Sequence, residues 1–191
     1  MAQRPSAGAV GLLAALTGPC TLRDGVMVMV RPIRDDDEQR LRTFHLNLSS
    51  RTLYLRFGHL LVGFPDALAA WLTYVDGDQR MAFVATNTAD ADDVASPDQE
   101  IIAVARYEHV RPLVAEVAEV VADRWQGRGL GPQLVYRLAM YAHHRGYTTF
   151  IGYVRGNNEC AVHALVRGRL PYTVKQLDED TLLATVDITQ I

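Results

Sequence analysis

Lysine is almost missing from this chain. Of its 19 basic residues, only Lys175 is not an arginine, a pattern read mainly as genomic bias. Cysteine is nearly as scarce. Cys20 and Cys160 make no disulfide framework and no zinc-ligand spacing. The six histidines are scattered, and the adjacent His143 and His144 point to different sides of a helix rather than forming an i, i+4 ligand pair. No metal site is expected. No excess of positive charge exists either: the formal net charge is −3 and the isoelectric point near 6.0, which argues against a nucleic-acid partner. No apolar run is long enough to span a bilayer, the nearest being residues 7–16. That run follows a single Arg4, has no convincing cleavage site and leads to Pro19 before Cys20, so it reads as a short helix or poorly ordered leader. What remains is an ordinary globular composition, 49% hydrophobic over 191 residues, enough for one domain at 21–191 behind a leader at 1–20.

The apolar patterning predicts an α+β unit without repeats. Strands are expected at 26–33, 81–88, 101–109, 113–122, 149–154, 174–177 and 182–188. The acids Asp35, Asp36, Asp37 and Glu38 suit a helix start running to about Leu48, and Ser49 or Ser50 can cap a second helix over 51–57. A third helical segment is expected at 64–74, a loop at 89–99, a helix from Gly131 to about Arg145, and another over 158–167.

Gln126-Gly127-Arg128-Gly129-Leu130-Gly131 lies between the fourth strand and the long helix. Glycines let a backbone approach an anion, and a helix start offers unpaired N–H groups and partial positive charge. Arg128 adds a full cation, and Pro132 suits a first helical turn. The turn reads as a diphosphate cradle. A dinucleotide fingerprint and a nucleoside-triphosphate loop both require glycine where Pro132 stands, so neither fits.

The pattern Q/R-x-x-G-x-G/A does fit, through Gln126, Gly129 and Gly131. It resembles the acetyl-CoA signature of the GNAT superfamily of N-acetyltransferases, and the element order matches that fold. Residues 22–25, 31–34, 48–57, 75–76, 103–107 and 115–131 are similar to one branch, the Pat-type bacterial protein lysine acetyltransferases. The likeness runs over roughly 20–190 and leaves no room for a fused regulatory domain. The resemblance implies a central mixed, mostly antiparallel sheet of about seven strands, flanked by helices and splayed between the fourth and fifth. It also implies acetyl-CoA as cosubstrate, and an acceptor that is a protein lysine or a small amine. A cytoplasmic protein is expected, with no membrane or nucleic-acid partner, and a homodimer is compatible with the family.

Acyl transfer to an ammonium needs a base. The fourth strand offers Glu116 and Glu119, which a regular strand places on opposite faces unless a bulge intervenes. Glu116 falls where the Pat-type branch keeps its catalytic glutamate and is assigned as general base. Glu119 is read as a solvent-facing strand position. The resemblance further implies that cosubstrate contacts Val120, Val121, Gln126, Gly127, Arg128, Gly129, Leu130 and Gly131, with the Val121 N–H facing the thioester oxygen. Asn158 matches an asparagine that touches the pantetheine arm, and equally suits a helix N-cap. Many relatives carry a tyrosine in the following helix to protonate the thiolate. Residues 158–170 contain none: Leu165 or Arg167 takes its place, and Cys160 and His163 lie nearby unassigned. A non-catalytic acyl-CoA sensor is therefore the alternative to an enzyme.

Overall fold

The computed structural model describes residues 7–59, 63–87, 99–155, 158, 161 and 170–191, with no account of the side chains of 7–10. Among the described residues eight strands form one sheet in the order β1-β2-β3-β4-β5-β6-β8-β7. They are β1 Gly18–Thr21, β2 Met27–Pro32, β3 Arg80–Thr86, β4 Ile101–Arg111, β5 Val114–Val121, β6 Thr149–Arg155, β7 Tyr172–Gln176 and β8 Thr181–Asp187. All neighbours are antiparallel except β5 and β6. The one strand beyond the expected seven is β1. Its Gly18 and Pro19 hide it from pattern reading, and proline is tolerated there because β1 is an edge, paired with β2 alone.

The helices are α1 Ala7–Leu16, α2 Glu38–Leu46, α3 Ser50–Phe57, α4 Asp66–Thr73 and α5 Leu130–His144. The segment at 7–16 takes the helical alternative. Most of the helix expected over 158–167, with Cys160, His163, Leu165 and Arg167, lies outside the described residues, as does most of the loop at 89–99.

Alternation along the strands divides the core in two. One face buries Val28, Val30, Phe83 and Tyr107 against α5, whose Leu130, Leu134, Leu138 and Ala142 recur every fourth residue. The other face packs Ala82, Val84 and Val104 against Leu41, Phe44 and Leu72 of α2 and α4. Burying one leucine of the α5 stripe contributes roughly 1.5–3 kcal/mol, so truncating Leu138 to alanine costs about 2–5 kcal/mol. Arg31 and Asp37 form a bidentate ion pair of 2.6 and 2.7 Å, fully buried, that pins the end of β2 to the start of α2. Asp37 also accepts from the Arg34 amide. Together these bonds hold its carboxyl below the usual range against the upward push of burial.

Candidate active site

The parallel pairing of β5 with β6 lasts for three residues, Val114 to Glu116 against Thr149 to Ile151. Beyond that point β6 continues along β8 to Arg155, while β5 continues along β4 to Val121. The sheet is split there. Gly152 marks the parting, since a Cβ on it would stand 3.4 Å from the Val117 carbonyl. The Ala122 amide donates to Ile102 of β4. In an antiparallel ladder alternate residues share a direction, so Val117, Glu119 and Val121 turn their N–H groups away from β4; the pairing of Glu116 with Ile151 takes up that of Val117, and those of Glu119 and Val121 face the split. Such amides need partners. An extended ligand laid in the split would supply them.

The split opens into a cavity of about 1120 Å³ whose lining runs from Glu116 to the turn after β5. Gly127 and Gly129 are left-handed, with φ of 74° and 87°, and Gly129 serves as the N-cap of α5. The two differ in surroundings. Space beside Gly127 is open, whereas a Cβ on Gly129 would meet Arg23 at 3.1 Å. At Gly131 a Cβ would lie 2.6 Å from Glu119 Oε2. Leu130 is buried under the first turn. The glycine pattern therefore has three causes, of which close approach from outside is one.

Two polar residues of the turn have partners within the protein. The Gln126 side chain donates to the Val121 carbonyl at 3.0 Å and to Thr52 Oγ1 at 3.2 Å, so it ties the turn to β5 and α3 while lining the cavity. Arg128 pairs with Asp24 at 3.1 Å and lies over the Trp125 ring. Arg23, whose amide donates to the Arg128 carbonyl, is a cation that lines the cavity. Sequence reading missed it, because it comes from the loop between β1 and β2.

Glu116 and Glu119 do lie on opposite faces of β5, and the register is unbroken between them, so no bulge intervenes. Glu116 is half-buried, opposite Glu108 of β4, with Arg56 of α3 nearby. Burial raises its acid above the ordinary value, Arg56 draws it back, and Glu108 adds to the rise. A carboxylate in that balance can accept a proton and release it. Glu119, read from the sequence as a solvent-facing position, is partly exposed and lines the cavity rather than an open face. It points toward α5, its Oε2 buried and without a hydrogen-bond partner. The Trp125 Nε1–H, in a residue that lines the same cavity, is also buried and unpartnered.

Val120 is buried in the second core cluster and also lines the cavity. Asn158 lines it too, and its side chain accepts from the Ala161 amide at 3.1 Å, the bond of an N-cap. Asp123 went unnoticed in the sequence. It accepts from the Ser49 amide, the Ser49 hydroxyl and the Thr52 hydroxyl, joining the turn to the start of α3. The readable signal was the cap at Ser49, and its second partner lay 74 residues away. Among the described residues no cluster of three metal-ligating side chains occurs, and no helix is long and apolar enough to cross a membrane.

Comparison with known proteins agrees with this geometry. A family model described as "Acetyltransferase (GNAT) family" matches residues 62–167. Acetyltransferase PA5475 of Pseudomonas aeruginosa is 33% identical over 128 residues, 66% of each chain. Acetyltransferase Pat of Mycolicibacterium smegmatis is 34% identical over 142 residues, 73% of this chain and 40% of that one. The chain thus spans about two thirds and two fifths of these relatives. Among solved structures, the GNAT domain of S. lividans PAT superimposes with a TM-score of 0.79 at 25% identity, covering 97% of this chain and 99% of the other.

Proposed function

The chain belongs to the GNAT acetyltransferase family, and from that membership we propose that it moves an acetyl group from acetyl-CoA to a primary amine, the side chain of a protein lysine. The observation that carries the reading is the position of Glu116 at the last paired residue before the split, beside amides that have no strand partner. Lysine as acceptor rests on the resemblance to the Pat-type branch, with which the similarity to proteins named Pat is in keeping.

The residues divide the work as follows. The first-turn amides of α5, with Gly127, Gly129 and Arg23, hold the diphosphate of coenzyme A. The outward Glu119 amide pairs with the pantetheine arm along the split. Glu116 takes a proton from the acceptor ammonium, directly or through one water, which leaves a neutral amine able to attack the thioester carbon. The Val121 N–H donates to the oxygen as it gains charge in the tetrahedral intermediate. Collapse breaks the C–S bond and releases coenzyme A. A thiol of ordinary pKa near 8.5 leaves acceptably as thiolate and takes its proton from water.

The test is to incubate purified protein and its Glu116→Gln variant with acetyl-CoA and a cell lysate, then map new acetyl-lysines by mass spectrometry. New sites with the wild type alone are expected. Release of coenzyme A with small amines but not with proteins would move the acceptor class. Tight acetyl-CoA binding without release in any mixture would make the protein an acyl-CoA sensor. Intact mass supplies an internal check, because self-acetylation has only Lys175 and a terminal amine available.

A further inference from the structure

Glu119 has no task in the mechanism above, yet it sits inside the cavity the cosubstrate would fill. Its Oε2 is buried without a partner, against the first turn of α5 at Gly131. Opposite it on β4 is Ala105, and Gly131 of α5 lies against its carboxylate. The cations that line the same cavity are Arg23, Arg51 and Arg56, with Arg137 from α5 itself, and none of them contributes to the shift of its acid. The cations of the turn are directed elsewhere, Arg23 toward Gly129 and Arg128 onto Asp24. Among the described residues no charged side chain offsets its charge, and burial alone pushes the acid up to about 7. The positive feature directly beside it is the start of α5 at Gly131, which a bound diphosphate would claim.

We propose that Glu119 is a cosubstrate-contacting carboxyl that must be neutral when acetyl-CoA is bound, so that binding takes up one proton and weakens as pH rises. This rests on the acetyl-CoA reading given above. An ionised carboxylate against the first turn of α5 would compete with the phosphates for the same amides and repel them at close range. The neutral acid removes the repulsion and turns an acceptor into a donor, able to face a phosphate or pantetheine oxygen. The balance is simple: one carboxylate, one proton and one acetyl-CoA give the complex, with no other bond made or broken. The bound state holds the proton more tightly than the unliganded one. Affinity is therefore constant below the unliganded pKa and falls up to about tenfold per pH unit above it.

Calorimetric titration of the whole protein with acetyl-CoA, without acceptor, reads this directly. It is run between pH 6 and 8.5 in buffers of different ionisation enthalpy, on wild type and Glu119→Gln. The expected wild-type result is uptake approaching one proton at pH 8 and an affinity weakened roughly tenfold from pH 7 to 8.5. Glu119→Gln keeps the shape, carries no charge and is expected to lose both effects. The same uptake and slope in Glu119→Gln would overturn the proposal, since the protons would then belong to coenzyme A or another residue. A second reading needs no variant: infrared difference spectra of glutamate-labelled wild type should gain an acid carbonyl band on binding. A difference spectrum with no gain of acid carbonyl and no matching loss of carboxylate intensity would also overturn it. If acetyl-CoA binds neither protein at any pH, the acetyltransferase reading falls as well; binding without Glu119-linked uptake removes this inference alone.

Discussion

The Asp123 carboxylate accepts two hydrogen bonds from Ser49, at 2.9 Å from its amide and 2.6 Å from its hydroxyl. The turn at the end of β5 and the N-terminus of α3 are thereby one piece. Gln126 adds a second tie through Thr52. Asp123→Ala is expected to leave the start of α3 with one bond fewer at each site. The loss of a cap costs about 1 kcal/mol, or roughly 2–4 °C in Tm for a chain of this size. Because α3 carries Arg56 and the turn carries the cradle, the KM values for amine and acetyl-CoA should rise together. Thermal unfolding with steady-state kinetics checks this, and a rise in one KM alone would refute the linkage.

Glu116→Gln tests the base. Loss of general-base catalysis should lower kcat by about 10²–10⁴-fold while acetyl-CoA affinity is retained. The wild-type rate should fall on the acid side with a midpoint above the ordinary carboxylate value of 4.5, because burial favours the protonated form. An active variant with an unshifted acid limb would exclude Glu116 from that role.

Gly131 and Glu119 should prove coupled. An added Cβ at Gly131 meets the carboxylate, and such overpacking costs about 1–3 kcal/mol. Truncating Glu119 to alanine makes room, so the double variant should lose less than the sum of the two single losses, by about 0.5–3 kcal/mol. Gly127→Ala is the contrast: it meets no neighbour, and its cost, about 1 kcal/mol, comes from the left-handed backbone. Urea unfolding of the four proteins measures the cycle, and strict additivity would mean that the carboxylate moves aside without cost.

His45 makes stability depend on pH. It is buried, stacked on Phe64 with ring centroids 4.2 Å apart, and its Nδ1 is 2.8 Å from the Leu41 carbonyl. Burial, reinforced by Arg56 and Arg106, lowers its pKa from 6.5 to about 4, against the opposing bond to Leu41. Between those values the unfolded chain binds a proton that the folded protein refuses. Stability is therefore full above pH 6.5 and declines as pH falls toward 4, by about 3 kcal/mol over the window. Denaturant titrations at pH 7 and 5 should show the drop, and His45→Gln should reduce it.

Much of the cofactor side was legible because it depends on neighbours in sequence. A strand, a glycine-rich turn and a helix start are local patterns, and the left-handed residues Gly127 and Gly129 fall where the motif puts them. The half-buried setting of Glu116 in the cavity lining agrees with its place in the same stretch. Arg23 was not, since it reaches the cradle from the other end of the chain, and Asp123 looks like any polar loop residue until Ser49 is beside it. Glu119 was misread for a related reason. A strand pattern tells which residues share a face, but not whether that face meets water or a helix. The edge strand β1 escaped because glycine and proline carry no strand signal of their own.

By itself, the sequence determined the order of elements from β2 to α5, the strand, glycine-rich turn and helix start around Gln126–Gly131, and the opposite facing of Glu116 and Glu119, all of which follow from local backbone periodicity. Tertiary structure alone decided that β5 and β6 part after Glu116, leaving amides for a ligand. It decided that Arg128 turns to Asp24 while Arg23 lines the cavity, and that Glu119 points into the cavity against α5 with its Oε2 unpartnered. Charge and burial at these atoms depend on packing between distant segments, and no local pattern encodes it.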